Sequence, residues 1–308
     1  MMNTARQNTK YTHARPRGLT PWHPQTRTQE LLEQVQNILR EYSAHLPLTA
    51  RQIFYRLVGA HDYAKNENSY SRLCDLLVRA RRAEIVPFDW IRDDGATIRV
   101  PTGFDGLPCF WGAVKDTAET YRRNRLEGQT IVPEIWVEAA GMVPQIVRVA
   151  HEFGIPVFSS GGFDSLTVKH EAAQRILNRD RQTTVLHVGD HDPSGVSIFD
   201  AAAEDVSRLA VDLGAPLAPE FRRIAVTPGQ IERYKLSESP PKSTDKRGNW
   251  KGGTVQVEAL PPDILAGEVR TAIGTVIDEA ALQRVIITEE HERQTLIEEV
   301  NNYLEVTP

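Results

Sequence analysis

Cysteine is scarce. Cys74 and Cys109 are the only two in 308 residues, and they stand in different sequence contexts, which excludes a disulfide framework and a zinc site built from cysteine pairs. Long apolar runs are missing too. No stretch approaches the roughly 18 consecutive apolar residues that a membrane span needs, and the opening MMNTARQNTKYTHARPRG lacks the apolar segment of a secretory signal. The expectation is a soluble chain with a cytoplasmic address and no membrane partner. The phosphate-cradling pattern G-x-x-x-x-G-K-[ST] does not occur, so the chain brings no P-loop of its own.

Acidic residues are absent from the first 29 positions, where Arg6, Lys10, Arg15, Arg17 and Arg27 stand. Residues 1–27 therefore read as a basic flexible arm, suited to a polyanion or merely solvated. The imbalance continues along the chain. Formal charge is +5 over residues 1–130 and −10 over residues 131–308, within a total of −5. Such a split suggests a polyanion-binding unit joined to one that collects cations.

Apolar spacing places a helix over TRTQELLEQVQNILREYSAHL, with Thr26 or Thr28 as its cap and Pro47 beyond its end. Thr49 caps a second helix, ARQIFYRLVGA, and SYSRLCDLLVRARRAE reads as a third. With the β-prone IVPFDWI and TIRV behind them, residues 28–108 fit a helix-turn-helix or winged-helix-like DNA-binding domain. A linker helix covers the stretch 109–130. From Ile131 the rhythm alternates strand and helix: IVPEIWV, MVPQIVRVAHEFG, IPVFSS, SLTVKHEAAQRILN, TTVLHVG, VSIFDAAAEDVSRLAVDLG and RRIAV. That alternation predicts an α/β domain over 131–308, a mostly parallel sheet flanked by helices. LSESPPKSTDKRGNWKGG reads as a loop, TVQVEAL as a short strand, and two helices follow.

Parallel sheets carry their working residues at the carboxyl ends of the strands. Glu138 stands at the end of the first run, and Asp190 and Asp192, in VLHVGDHDPSGVSIF, at the end of the third. Two carboxylates one residue apart repel unless a cation sits between them. Three hard oxygen donors suit Mg²⁺ or Mn²⁺ rather than zinc. An EF-hand reading fails, because its twelfth position is Ala201 instead of glutamate. The alternative is a turn, with Asp192 before Pro193 opening a helix. His187 reads as core.

WVEAAGM, GGFDSL and VGDHDPSG, in this order, resemble the Toprim domain of topoisomerases, primases and some nucleases. The resemblance implies that Glu138, Asp190 and Asp192 bind the metal and that Glu138 also carries a proton for the sugar oxygen at the cleaved bond. One departure is Ala139, where many such sequences follow the glutamate with lysine. A helix-turn-helix unit before a Toprim domain is similar to the topoisomerase VI A subunit and the related meiotic double-strand-break proteins. Their motif resembles R-x-x-Y-Y; here Arg51, Phe54 and Tyr55 stand in those places.

On that resemblance Tyr55 attacks the backbone of double-stranded DNA with Arg51 on the same helix face, and tyrosine and metal meet across a homodimer. Strand passage driven by ATP would then need a separate ATPase subunit. Arg56, Arg79, Arg81 and Arg82 are candidate phosphate contacts, as are Lys242 and Arg247 in the Pro-rich loop. Glu258 is a weaker candidate for supporting the metal site. Two alternatives remain open: a Toprim nuclease that activates water to hydrolyse DNA or RNA, and a non-catalytic DNA-binding relative.

Overall fold

The computed structural model describes residues 19–92, 103–159, 166–241, 250 and 252–306. The front unit consists of α1 (Thr26–Glu41), the two-residue strand β1 (Leu48–Thr49), α2 (Ala50–Ala60), α3 (Glu67–Arg82) and the two-residue strand β2 (Ile91–Arg92). α1 starts without a side-chain cap at Gln25. Thr49 caps α2 as expected, in a reciprocal box with Gln52. Asn66 caps α3 two residues earlier than the pattern suggested. Of IVPFDWI only Ile91 is extended, pairing in parallel with Leu48. TIRV lies outside the described residues, as do the basic arm up to residue 18, most of GGFDSL, Lys242 and Arg247.

α4 (Leu107–Glu119) stops before the arginines expected at its end. Arg123 and Arg125 instead sit in the following turn and pair with Glu292 and Glu289 of the long C-terminal helix. A charged cluster there fastens the connection to the body of the protein.

The second unit is a mixed α/β arrangement. β3 (Ile131–Val137), α5 (Val143–His151), β4 (Val157–Ser159), α6 (Leu166–Leu177), β5 (Gln182–Val188), α7 (Pro193–Asp212), β6 (Glu220–Ala225) and α8 (Pro228–Tyr234) follow in turn, then α9 (Pro262–Gly274) and α10 (Glu279–Val306). The four strands pair in the order β4-β3-β5-β6, all parallel. TVQVEAL forms no strand. Val255 makes an isolated bridge to His191, and Val257–Ala259 is a single 3-10 turn.

β3 and β5 are buried along nearly their whole length, which explains why they read as continuous apolar runs. One face of the sheet packs Ile135, Leu186 and Val188 into a cluster shared with Ile146 of α5, Val269 of α9 and the helices of the front unit. The other face packs Trp136 and Val185 against Ala172 of α6 and Val206 of α7. Glu134 is fully buried on that side and is neutralised by Arg179 at 2.7 Å and Arg175 at 3.3 Å. A continuous apolar cluster thus ties the front helices to the sheet.

Candidate active site

Because β3 and β5 are neighbours, with Val137 opposite Val188, the residues that follow them emerge side by side. The Glu138 N–H donates to the Val188 carbonyl at 2.8 Å, and the Glu138 carboxylate folds back to accept the Asp190 N–H at 3.0 Å. Asp192 caps α7, its Oδ1 accepting the Gly195 N–H at 2.6 Å. The turn role and the acidic-cluster role of DHDPSG therefore coexist. Two glycines make the approach feasible. A Cβ at Gly195 would lie 3.0 Å from Glu138 Oε2 and 3.3 Å from Asp192 Oδ1, and one at Gly189 would overlap the same glutamate oxygen.

Crowding of these carboxylates shows in their protonation. Burial, then the Asp190 charge, pushes Glu138 up to about 7. Burial raises Asp190 as well, opposed by the hydrogen bond from the Val257 N–H to its Oδ1 at 2.9 Å. Beneath them His187 is buried and stacked on Phe199 with centroids 4.0 Å apart. Its imidazole is held neutral, pushed down to about 3 by burial. The core reading of His187 stands.

The donor set, three carboxylates following neighbouring strands, fits a hard divalent cation in chemistry. The three are not drawn into a finished cage, and among the described residues no group of three or more His, Cys, Asp or Glu side chains is. The reason is visible in their bonds. Each carboxylate is turned toward a backbone N–H, of Asp190, Val257 or Gly195.

Tyr55 meets the segment that is bonded to Asp190. α2 packs against the turn Val257–Ala259, and the Tyr55 hydroxyl donates to Gln256 Oε1 at 3.0 Å. Arg51, one turn earlier, donates to the same oxygen at 2.7 Å and stands over the Tyr70 ring at 5.1 Å. The shared helix face expected for Arg51 and Tyr55 is present. Burial, then the charge of Glu258, pushes the Tyr55 phenol up to about 12, with Arg51 opposing and Asp190 adding to the rise.

Other candidates fall elsewhere. Arg56 points inward, donating to the Ala259 carbonyl at 2.5 Å. Burial lowers its pKa, and its bond to Ala259 ties α2 to the Val257–Ala259 turn. Glu258, 7% exposed, sits in that turn and not on a neighbouring strand; its charge acts on Tyr55 and Tyr70. Arg79, Arg81 and Arg82 gather at the end of α3. Arg79 lines a cavity of about 530 Å³ between α1 and α3, with Trp22, Arg27 and Arg72.

Three residues were missed by sequence reasoning. Arg223 in β6 donates to the Asp190 carbonyl, and the charges of Glu138, Asp190, Asp200 and Asp192 all act on it. Gln256 joins Tyr55 to Arg51, and the Lys65 ammonium stands 5.4 Å from the centre of the Tyr55 ring. For Arg223 the available signal was its place in a strand of the parallel sheet, in EFRRIA; Gln256 and Lys65 had none. No protein-family model, curated protein or solved structure matches this chain.

Proposed function

We propose that the front helices form a winged-helix-like DNA-binding unit, that the sheet is a Toprim-type domain, and that together they cleave the DNA backbone by transesterification from Tyr55. One observation carries this reading: Tyr55 and Arg51 meet Gln256, whose neighbour Val257 is bonded to Asp190. A candidate nucleophile, a cation and a carboxylate cluster thus share one small region.

In this reading Arg51 offsets negative charge on the phosphate and on the phenolate. The Tyr55 oxygen bonds to phosphorus as the bond from phosphorus to the sugar 3′-oxygen breaks. The phenolic proton passes to solvent, and Glu138 would return a proton to the departing oxygen. Glu138, Asp190 and Asp192 would hold a Mg²⁺ or Mn²⁺ ion, which when bound supplies Lewis-acid stabilisation of charge on the phosphate oxygens. A homodimer and, for strand passage, a separate ATPase subunit belong to the same proposal.

A second reading has its own support. A phenol held up at about 12 is a weak nucleophile, whereas an ionised carboxylate such as Glu138 is suited to take a proton from water. That is the arrangement of a metal-dependent nuclease. Incubating supercoiled plasmid with Mg²⁺ or Mn²⁺ and trapping products with denaturant separates the two. The first reading expects a protein-linked DNA end that is lost in Tyr55→Phe and in Glu138→Ala. Cleavage that survives Tyr55→Phe but not Glu138→Ala leaves the nuclease.

A further inference from the structure

We infer that Gln256 is a positioning residue that fixes the Tyr55 hydroxyl and the Arg51 guanidinium relative to the turn that carries Asp190. The inference rests on the reading of Tyr55 as nucleophile. The Gln256 amide oxygen accepts from Arg51 Nη1 at 2.7 Å and from the Tyr55 hydroxyl at 3.0 Å. On one side of it, Val255 exchanges backbone bonds with His191 at 2.8 and 3.0 Å. On the other, the Val257 N–H donates to Asp190 Oδ1 at 2.9 Å. Three consecutive residues therefore link the working face of α2 to the Asp190–His191 turn.

The frame around this link is stiff. Thr49 and Gln52 close the capping box of α2. The Gln52 side chain donates to Gln145 Oε1 of α5 at 2.7 Å, and Arg56 donates to Ala259. Tyr55 is 8% exposed, so its ring has little room to swing. The ring also packs edge-on against Phe54, with centroids 5.6 Å apart. An amide suits the junction chemically. Its oxygen accepts two donors without adding a negative charge that would raise the phenol further.

The test is single-turnover formation of the denaturant-trapped adduct with Mn²⁺, on variants first shown to keep the parental melting temperature. Gln256→Leu removes the acceptor at similar size and is expected to slow adduct formation about 100-fold, the scale of a small misplacement of a reacting group, with DNA affinity little changed. Gln256→Glu keeps an acceptor but sets a negative charge beside the phenol, so it is expected to recover only part of that rate. A Gln256→Leu protein that reacts at the parental rate overturns the inference. If the parent forms no adduct, the reading of Tyr55 itself falls. Gln256 is then still tested by 3-fluorotyrosine labelling, with the Tyr55 resonance assigned by its loss in Tyr55→Phe. That resonance is expected to shift in Gln256→Leu, and an unmoved resonance overturns the positioning role.

Discussion

Asp190 accepts the Val257 N–H at 2.9 Å, so the carboxylate that follows β5 also pins the segment that carries Gln256. Removing the acceptor and removing the charge should therefore have different consequences. Asp190→Ala leaves a buried N–H without a partner and is expected to cost about 1–3 kcal/mol of stability. Asp190→Asn keeps an oxygen for Val257 and should fold nearly as well as the parent while losing Mn²⁺ affinity. Denaturant unfolding and calorimetric Mn²⁺ titration of both variants check this.

Tyr55 at about 12 predicts the pH profile of the first proposed reaction. Attack by the phenolate should accelerate about tenfold per pH unit between 7 and 9, because the ionised fraction grows at that rate far below the pKa. Hydrolysis by water should keep its rate and profile in Tyr55→Phe, whereas attack by the phenol should be lost. Single-turnover rates on a short duplex across this range decide between them.

Glu289 is 1% exposed and accepts from Arg125 at 2.7 Å and from Arg293 at 2.6 Å. Its hydrogen bond with Arg125 holds its pKa below the ordinary glutamate value. With the folded value depressed, the stabilisation is present above the unfolded pKa and is lost as pH falls through the folded one. Glu289→Gln is expected to cost about 3 kcal/mol at neutral pH, near the lower end for breaking a buried pair, since both arginines keep some solvent contact. The gap to the parent should narrow as pH falls below about 4. Urea midpoints of both proteins from pH 3 to 8 test the sign.

Trp250 packs on His191, with ring centroids 4.8 Å apart, and His191 lies between Asp190 and Asp192. A cation drawn to those carboxylates should alter the Trp250 emission. The difference between parent and Trp250→Phe isolates that signal from the other tryptophans. A Mn²⁺-dependent change is expected in the parent and not in Asp192→Asn, and an emission indifferent to metal would count against the site.

What was legible in the sequence is what short-range physics controls. The apolar runs from Ile131 and Gln182 formed strands because a parallel strand buried on both faces needs little else. Thr49 marked the start of α2 because a hydroxyl beside free N–H groups caps a helix wherever the chain lies. Glu138, Asp190 and Asp192 could be singled out as candidates because strand ends in such sheets are where side chains stay free to work. Tertiary structure alone decided what lies beside them. That β3 and β5 are neighbours brought Glu138 to Asp190, and β6 beside β5 brought in Arg223. TVQVEAL has the alternation of a strand, yet its backbone bonds went to His191, Asp190 and Ser239. With no strand partner it became the clamp that meets Tyr55, and no local pattern encodes a contact 201 residues away in sequence. Arg56 reads like its neighbour Arg51, and only the packing of α2 on the Val257–Ala259 turn pointed one inward and left the other at the site.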